Sequence, residues 1–205
     1  MVAKRVATVL PLIGLLLATG LVVVLARQLD AARQQRDLLA QRAQSLQPGA
    51  YVPLHSAPTV AGPPVALGEV APGTRQVLFV YNTRCAFCLA TIPTWQRIAD
   101  RYRDSPRVKV VAVSLDSLQA TATYARRHGL RYPSAVLTDP RTTGLFRFNS
   151  VPQTLVIVER GRVMHSRVGL LKDGVAADSV LAAIARPLPG TTTTARSAPS
   201  ARAPG

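Results

Sequence analysis

The feature that most constrains this chain is an apolar stretch, residues 77–88, with the sequence VLFVYNTRCAFC. Its first part is almost uncharged and rich in Val, Phe and Tyr, which is typical of a strand buried on both faces. From Cys88 to Tyr102, apolar residues recur every three or four positions, and this spacing predicts a helix. Cys85 is therefore predicted to lie where a buried strand passes into a helix.

That position favours thiol chemistry at Cys85. The first turn of a helix directs unpaired backbone N–H groups and the positive end of its dipole at the preceding residue, so a thiolate is stabilised there. The thiolate is the attacking species in thiol–disulfide exchange. Cys88 lies one turn further on, on the apolar stripe, and is predicted to be the buried, resolving thiol. An Arg84 guanidinium folded back over Cys85 would strengthen the effect.

A C-x-x-C pair also occurs in zinc sites and as a plain structural disulfide. A zinc site needs two more ligands, and His55, His128 and His165 lack a paired spacing. A structural disulfide here would close a loop of four residues, for which the entropic gain is small. The pattern favours redox work by these two cysteines, with no metal and no bound cofactor beyond their own disulfide.

Residues 62–186 resemble a thioredoxin-like domain, closest to the membrane-anchored TlpA/ResA type of thiol–disulfide oxidoreductase. Besides the cysteine pair, Pro93 stands five residues after Cys88, where the family carries a helix-kinking proline. Residues 151–154, VPQT, resemble the family's cis-proline segment, which lies against the nucleophilic cysteine. The resemblance implies an α/β fold with a mixed central sheet and helices on both faces. It also implies a cis bond before Pro152.

Two positions beside the cysteines depart from the family pattern. Arg84 replaces the aromatic residue usual before the first cysteine, and the Ala86–Phe87 pair lacks the common proline. Both departures lie where redox poise is tuned, so the direction of the reaction stays open. Arg84 and Phe87, together with Val151 and Pro152, are the predicted substrate contacts. The acidic residue that many relatives bury near the site has no evident counterpart.

A second strong signal precedes the domain. Residues 6–26 form an uncharged run of 21 residues, long enough at about 1.5 Å per residue to cross a bilayer core. A cleaved signal peptide is the rival interpretation, with small residues at 18–20 as the cleavage site, but the apolar run continues past that point. We therefore predict a single transmembrane signal anchor over residues 1–27.

The anchor and the family resemblance together imply a location. Two basic residues precede the span and four follow it within 16 positions, so charge alone favours the opposite orientation. A short N-terminal tail before one anchor is the usual arrangement for export, and a chain whose only two cysteines form the active pair suits an oxidising compartment. The domain is expected on the extracytoplasmic side of the inner membrane.

The regions flanking the domain have distinct compositions. The composition of residues 28–61 predicts a juxtamembrane helix, followed by a Pro-, Gly- and Ala-rich connector with one edge strand at 51–52. A short coiled coil over 28–47 is an alternative, although the apolar stripe there lasts under two turns. The tail, residues 187–205, is rich in Pro, Thr, Ala and Ser and is predicted to be disordered.

Within the domain, the pattern predicts a further series of strands and helices. Asp116 with Gln119 three residues later resembles a capping box, so a helix is expected to open there. The Arg160–Gly161 turn predicts a hairpin between the last two strands. The further strands are expected at 107–114, 136–137, 154–158 and 162–168, and the further helices at 116–128, 139–146 and 175–185.

The formal charge of +15 raises the question of nucleic acid. The basic residues are scattered among helices and turns, without a basic stripe or interleaved aromatic residues. No nucleic-acid partner is predicted.

The function predicted from these features is that of a membrane-tethered, periplasmic disulfide reductase acting on exported proteins and supplied by an upstream membrane electron donor. One alternative is a peroxiredoxin-like peroxidase, but that family carries T-x-x-C and Asn82 stands three residues before Cys85. Another is a copper metallochaperone using both thiols and His165.

Overall fold

The structure, a computed structural model, describes residues 19–36 and 46–187. Residues 19–36 are helical, form α1, and belong to a first compact unit, while residues 46–187 belong to a second. Across these two described stretches, we find no helix with both the length and the apolarity to cross a membrane. Residues 6–18 of the predicted span, residues 37–45 and the predicted tail from 188 lie outside the described residues.

The second unit alternates strands and helices as the sequence pattern predicts. Its elements in chain order are β1 (His55–Ala57), β2 (Val65–Leu67), β3 (Arg75–Tyr81), α2 (Ala86–Arg101), β4 (Val108–Ser114), α3 (Leu118–Arg127), β5 (Ser134–Val136), α4 (Pro140–Leu145), β6 (Gln153–Val158), β7 (Arg162–Val168) and α5 (Val175–Ala185).

A five-stranded mixed sheet forms the centre, with the strand order β5-β4-β3-β6-β7. The middle strand, β3, is parallel to β4 and antiparallel to β6, and all seven of its residues are buried. Buried strand residues point alternately to the two faces of a sheet, so β3 contributes to two cores. Val77, Phe79 and Tyr81 join one core, and Leu78 and Val80 join the other. The mixed sheet predicted from the sequence is confirmed.

Helices α2, α3 and α5 contribute to the first core, which contains Trp95, Tyr124 and Ile184. The second core is covered differently. It contains residues of β1 and β2, together with Phe146 at the C-cap of α4 and Phe148. Helix α4 itself buries no residue, so its end rather than its body fills this core.

Helix α2 runs for 16 residues and continues through Pro93, as predicted. Beyond the proline, Trp95 packs against the sheet, with its ring stacked on Phe79 at a centroid distance of 5.0 Å. The indole Nε1 donates a hydrogen bond of 2.9 Å to Thr154 Oγ1, so its one buried donor is satisfied. This contact fixes α2 on β3 and β6 together.

Three sequence predictions about local structure need correction. Helix α3 is capped by Ser117, whose Oγ accepts from Ala120 N, and not by Asp116. Strand β5 is Ser134–Val136, about two residues earlier than the predicted 136–137. The connector holds strand β1, which pairs antiparallel with β2 just after it, whereas Tyr51 makes only an isolated bridge. Short strands of three residues leave too few positions for an alternating pattern to show.

The segment before β1 is fixed on the β6–β7 turn through Gly161. Val52 N donates to Gly161 O at 2.8 Å, and Val163 N donates to Ala50 O at 2.8 Å. Gly161 has a φ of +74°, and a Cβ there would stand 2.3 Å from Val52 O. A side chain is therefore excluded both by backbone conformation and by contact.

Candidate active site

Cys85 is the N-cap of α2, as the sequence predicts. Its backbone is extended, with φ −85° and ψ 112°, and the backbone N–H of Cys88 donates to its sulfur at 3.2 Å. A cap of this kind uses one of the free N–H groups of the first turn.

The two cysteines, both free thiols, differ sharply in exposure. Cys85 is partly exposed, whereas Cys88 has no exposed surface and packs in the core that contains Trp95. Burial, and then the hydrogen bond with Cys85, raises the pKa of the Cys88 thiol well above its ordinary value. In this dithiol state, Cys88 is protected and protonated, and Cys85 is the thiol that a substrate can reach.

A groove runs beside Cys85 along the segment before β6. The Val151–Pro152 peptide bond is cis, as the family resemblance implies, and Pro152 is buried. The Cys85 Sγ lies 3.9 Å from Val151 O. The groove has a volume of about 210 Å³, and its lining residues are Asn82, Arg84, Cys85, Leu115, Phe148, Asn149, Ser150 and Val151.

The remaining predicted substrate contacts, Arg84 and Phe87, are both exposed. Arg84 is exposed and is the one charged residue among the groove's described lining residues. Phe87 lies in the first turn of α2 and is 63% exposed, an unusual position for a large apolar side chain. The structure therefore brings Arg84, Cys85 and Val151 together in one groove, whereas Phe87 and Pro152 are not among its lining residues.

The sequence reasoning missed one residue of this site, Asp116. Its carboxylate accepts hydrogen bonds from Thr83 N at 2.6 Å, from Thr83 Oγ1 at 2.7 Å and from Asn82 Nδ2 at 3.0 Å. Asn82 and Thr83 directly precede Arg84 and Cys85 in the chain. The charge of Asp116 also contributes to the raised pKa of Cys88. Asp116 therefore anchors the loop that carries the cysteine pair.

The parallel pairing of β3 with β4 explains why Asp116 reaches that loop. Tyr81 pairs with Ser114 at the ends of the two strands, so the segments that follow them lie side by side. The sequence did contain a signal for this role: Asp116 stands two positions after β4, and β4 lies next to β3, the strand that leads to Cys85. The capping-box pattern with Gln119 concealed it.

The helix and the proline segment are both held by the chain after β7. Leu171 N donates to the buried Thr91 Oγ1 at 3.2 Å, and Thr91 Oγ1 donates in turn to Phe87 O at 2.8 Å. Gly169 N donates to Pro152 O at 2.8 Å. The short segment 169–171 therefore holds helix α2 and the proline segment in fixed positions relative to each other.

His165, the histidine considered for copper, lies half-buried on β7 opposite Val156. Burial lowers its pKa, and the positive charges of Arg167 and Arg186 lower it further. In residues 19–36 and 46–187, no group of three His, Cys, Asp or Glu side chains is arranged to hold a metal ion.

A mixed sheet, a cysteine that N-caps the helix after its middle strand, and a cis-proline segment close to that cysteine define the thioredoxin-like class. Residues 48–166, more than half of the chain, match the model of the AhpC/TSA family, and the chain belongs to that family. The family resemblance predicted from the sequence is confirmed at this level. A search of curated proteins found no match.

Solved structures support the fold assignment. StoA from Bacillus subtilis is 18% identical, with a TM-score of 0.53, over 65% of this chain and 96% of its own. A thiol-disulfide isomerase from Corynebacterium glutamicum is 17% identical, with a TM-score of 0.54, over 68% and 98%. The thioredoxin domain of a thiol-disulfide oxidoreductase from Bacteroides vulgatus is 14% identical, with a TM-score of 0.56, over 67% and 97%. At these identities, the likeness concerns the fold.

Proposed function

We propose that this protein is a thiol–disulfide oxidoreductase that uses Cys85 as its nucleophile and Cys88 as its resolving thiol. The observation that carries the proposal is the contrast between the two sulfurs. Cys85 Sγ is accessible, capped by the Cys88 N–H at 3.2 Å and 3.9 Å from Val151 O, while Cys88 is completely buried. This division of exposure suits a two-step exchange.

In the reducing direction, the Cys85 thiolate attacks one sulfur of a substrate disulfide. A mixed disulfide forms, and the other substrate sulfur leaves as a thiolate that takes up a proton. Cys88 then loses its proton and attacks Cys85 Sγ, which releases the second substrate thiol. The substrate has gained two electrons and two protons, and the protein holds a Cys85–Cys88 disulfide.

The raised pKa of Cys88 gives this sequence an order. A protonated Cys88 does not attack, so in the dithiol state the exchange begins at Cys85. Once the Cys85 sulfur is bonded to a substrate, it no longer opposes ionisation of its neighbour. The substrate chain would lie in the groove beside Val151 and Pro152, in contact with Arg84 and Phe87.

The setting we propose is the extracytoplasmic side of the inner membrane. The uncharged run at 6–26 and the restriction of cysteine to the active pair support an anchored protein in an oxidising compartment. There it would reduce disulfides of exported proteins, and a membrane electron donor would return the Cys85–Cys88 disulfide to the dithiol. No nucleic acid and no metal takes part.

Trapping of the mixed disulfide tests this proposal. The full-length Cys88→Ser variant, expressed in the native host, lacks the resolving thiol and should accumulate covalent complexes that reducing agent releases. A Cys85→Ser variant is the matched control, because it keeps one thiol but loses the proposed nucleophile. Mass spectrometry of the released partners identifies the substrates. Complexes formed equally by both variants, or by neither, would contradict the assignment.

A further inference from the structure

A second pocket, larger than the groove beside Cys85, lies at the other end of the central sheet. It has a volume of about 480 Å³ and includes Arg75, the first residue of β3, and Val108, the first residue of β4. Cys85 follows the opposite end of β3. A strand of seven residues spans about 20 Å at roughly 3.3 Å per residue, so the pocket is separate from the redox site.

The pocket has apolar walls and a strongly basic charge. Five basic and two acidic side chains line it, a net charge of +3. The basic residues are Arg75, Arg103, Arg107, Lys109 and Arg131, and the acidic residues are Glu69 and Asp100. Its apolar surface comes from Val70, Ala99, Tyr102, Val108, Val110 and Tyr132.

Arg75 is the unusual member of this group. It is 8% exposed, and within the described residues its guanidinium has one partner, the carbonyl oxygen of Arg186 at the C-cap of α5, which carries no formal charge. Its Nε is buried without a hydrogen-bond partner, and the described residues give it no ion pair. Burial lowers the pKa of Arg75. A buried charge is normally paired, because removing it from water is costly.

The two acidic residues do not neutralise the pocket. Asp100 is already shared between Arg103 and Arg131, which bond to its two carboxylate oxygens. Glu69 is exposed and makes no ion pair with any described residue. Arg107 and Lys109, both exposed, likewise lack a described ion pair. Arg75, Arg107 and Lys109 therefore remain as three cations with at most one nearby carboxylate.

We propose that this pocket binds a small organic phosphate. Arginine side chains bind phosphate oxygens in a two-point fashion, and a dianion suits three uncompensated cations better than a single carboxylate does. The volume lies within the range of small-molecule sites, and the apolar walls beside the cations suit an organic body. Two sources share this chemistry, a free organic phosphate and the phosphomonoester headgroup of phosphatidic acid. This site is independent of the redox function.

The test is the thermal stability of the full-length protein in a mild non-ionic detergent. Phenyl phosphate is titrated, with sodium chloride at matched ionic strength as the reference, and inorganic phosphate is titrated in parallel. A ligand that binds only the folded state raises the melting temperature in a concentration-dependent way. We expect such a rise with phenyl phosphate and a weaker one with inorganic phosphate.

Variants localise the effect. An Arg107→Gln/Lys109→Gln double variant removes two exposed cations and should weaken phenyl phosphate binding by about tenfold or more. An Arg126→Gln/Arg127→Gln variant, on the exposed face of α3, removes the same charge elsewhere and should bind as the wild type does. An Arg75→Met variant should lose the response to phosphate while remaining folded without it, because the uncompensated buried charge is gone.

A second arm separates the two sources. Short-chain phosphatidic acid below its micelle concentration replaces phenyl phosphate in the same titrations. A stronger response to the lipid than to phenyl phosphate assigns the pocket to a headgroup, and the reverse assigns it to a free organic phosphate. No rise with either probe beyond the salt reference overturns the proposal. An equal response in the Arg107→Gln/Lys109→Gln and Arg126→Gln/Arg127→Gln variants overturns it as well.

Discussion

Replacing Asp116 by alanine tests whether this residue anchors the active-site loop. The side chain accepts three hydrogen bonds from Asn82 and Thr83, two of them at 2.7 Å or less. Hydrogen bonds to a charged group are worth about 1.5–3 kcal/mol each, but the carboxylate is half-buried and water replaces part of the loss. We expect Asp116→Ala to lower the free energy of unfolding by about 3 kcal/mol.

The assay is urea denaturation of the full-length protein, followed through the fluorescence of Trp95, the chain's one tryptophan. In a parallel thermal unfolding experiment, a loss of about 3 kcal/mol corresponds to a fall in melting temperature of roughly 6–12 °C in a chain of this size. Asp104→Ala is the matched control, because Asp104 is exposed and makes no described hydrogen bond or ion pair. It should change stability by less than about 0.5 kcal/mol.

A second readout separates positioning from stability alone. The negative charge of Asp116 helps to raise the Cys88 pKa, so an Asp116→Asn variant should lower that pKa. The pH dependence of the ultraviolet absorbance of the Cys88 thiolate in a Cys85→Ser background measures this. An Asp116→Ala variant no less stable than Asp104→Ala, together with an unchanged Cys88 profile, would refute the anchoring role.

Three further predictions concern the thiols, the pH dependence and the turn at Gly161. In the reduced protein, iodoacetamide at neutral pH should modify Cys85 much faster than the unexposed Cys88, and equal rates by mass spectrometry would contradict the assignment. The pKa of His165 is lowered in the folded protein, so the unfolded chain takes up the proton first as the pH falls. The free energy of unfolding should therefore decrease as the pH drops through the unfolded value of about 6.5. His165→Gln should flatten this pH dependence in denaturation curves from pH 7 to 5. Gly161→Ala should lower the free energy of unfolding by more than about 2 kcal/mol, because its Cβ would stand 2.3 Å from a backbone oxygen. Gly73→Ala is the control and should cost less, because Gly73 has a similar φ of +76° but open space around it. Equal melting temperatures of the two variants would show that the close approach at Gly161 is unimportant.

The central part of this fold was predictable from the sequence because its signals are local and strong. The apolar run before Cys85 gives the buried strand β3, and the stripe through Trp95 gives a helix that tolerates Pro93. The turn at Gly161 and the last helix were placed by patterns of the same kind. The cis bond at Val151–Pro152 followed from family resemblance, since no local property of the residues distinguishes it.

The parts that escaped prediction depend on pairing between distant segments. Asp116 lies 31 positions after Cys85 in the chain, and only the parallel register of β3 with β4 brings it to the cysteine loop. Likewise, β1 and β2 are three residues each and are stabilised by pairing with one another. The buried position of Arg75 also could not be seen, because a basic residue at the start of a strand is ordinarily exposed.

The most direct measurement of the central claim compares two oxidants on the same reduced, full-length protein. A disulfide-linked peptide and hydrogen peroxide are supplied separately, and the products are followed by mass spectrometry and by the rate of substrate loss. The account predicts that the wild type reduces one equivalent of peptide and loses two hydrogens as the Cys85–Cys88 disulfide forms. It also predicts that Cys85→Ala neither reduces the peptide nor forms the disulfide, and that the wild type consumes peroxide far more slowly than the peptide. Rapid peroxide consumption with the peptide left intact, or peptide reduction that persists in Cys85→Ala, would contradict it.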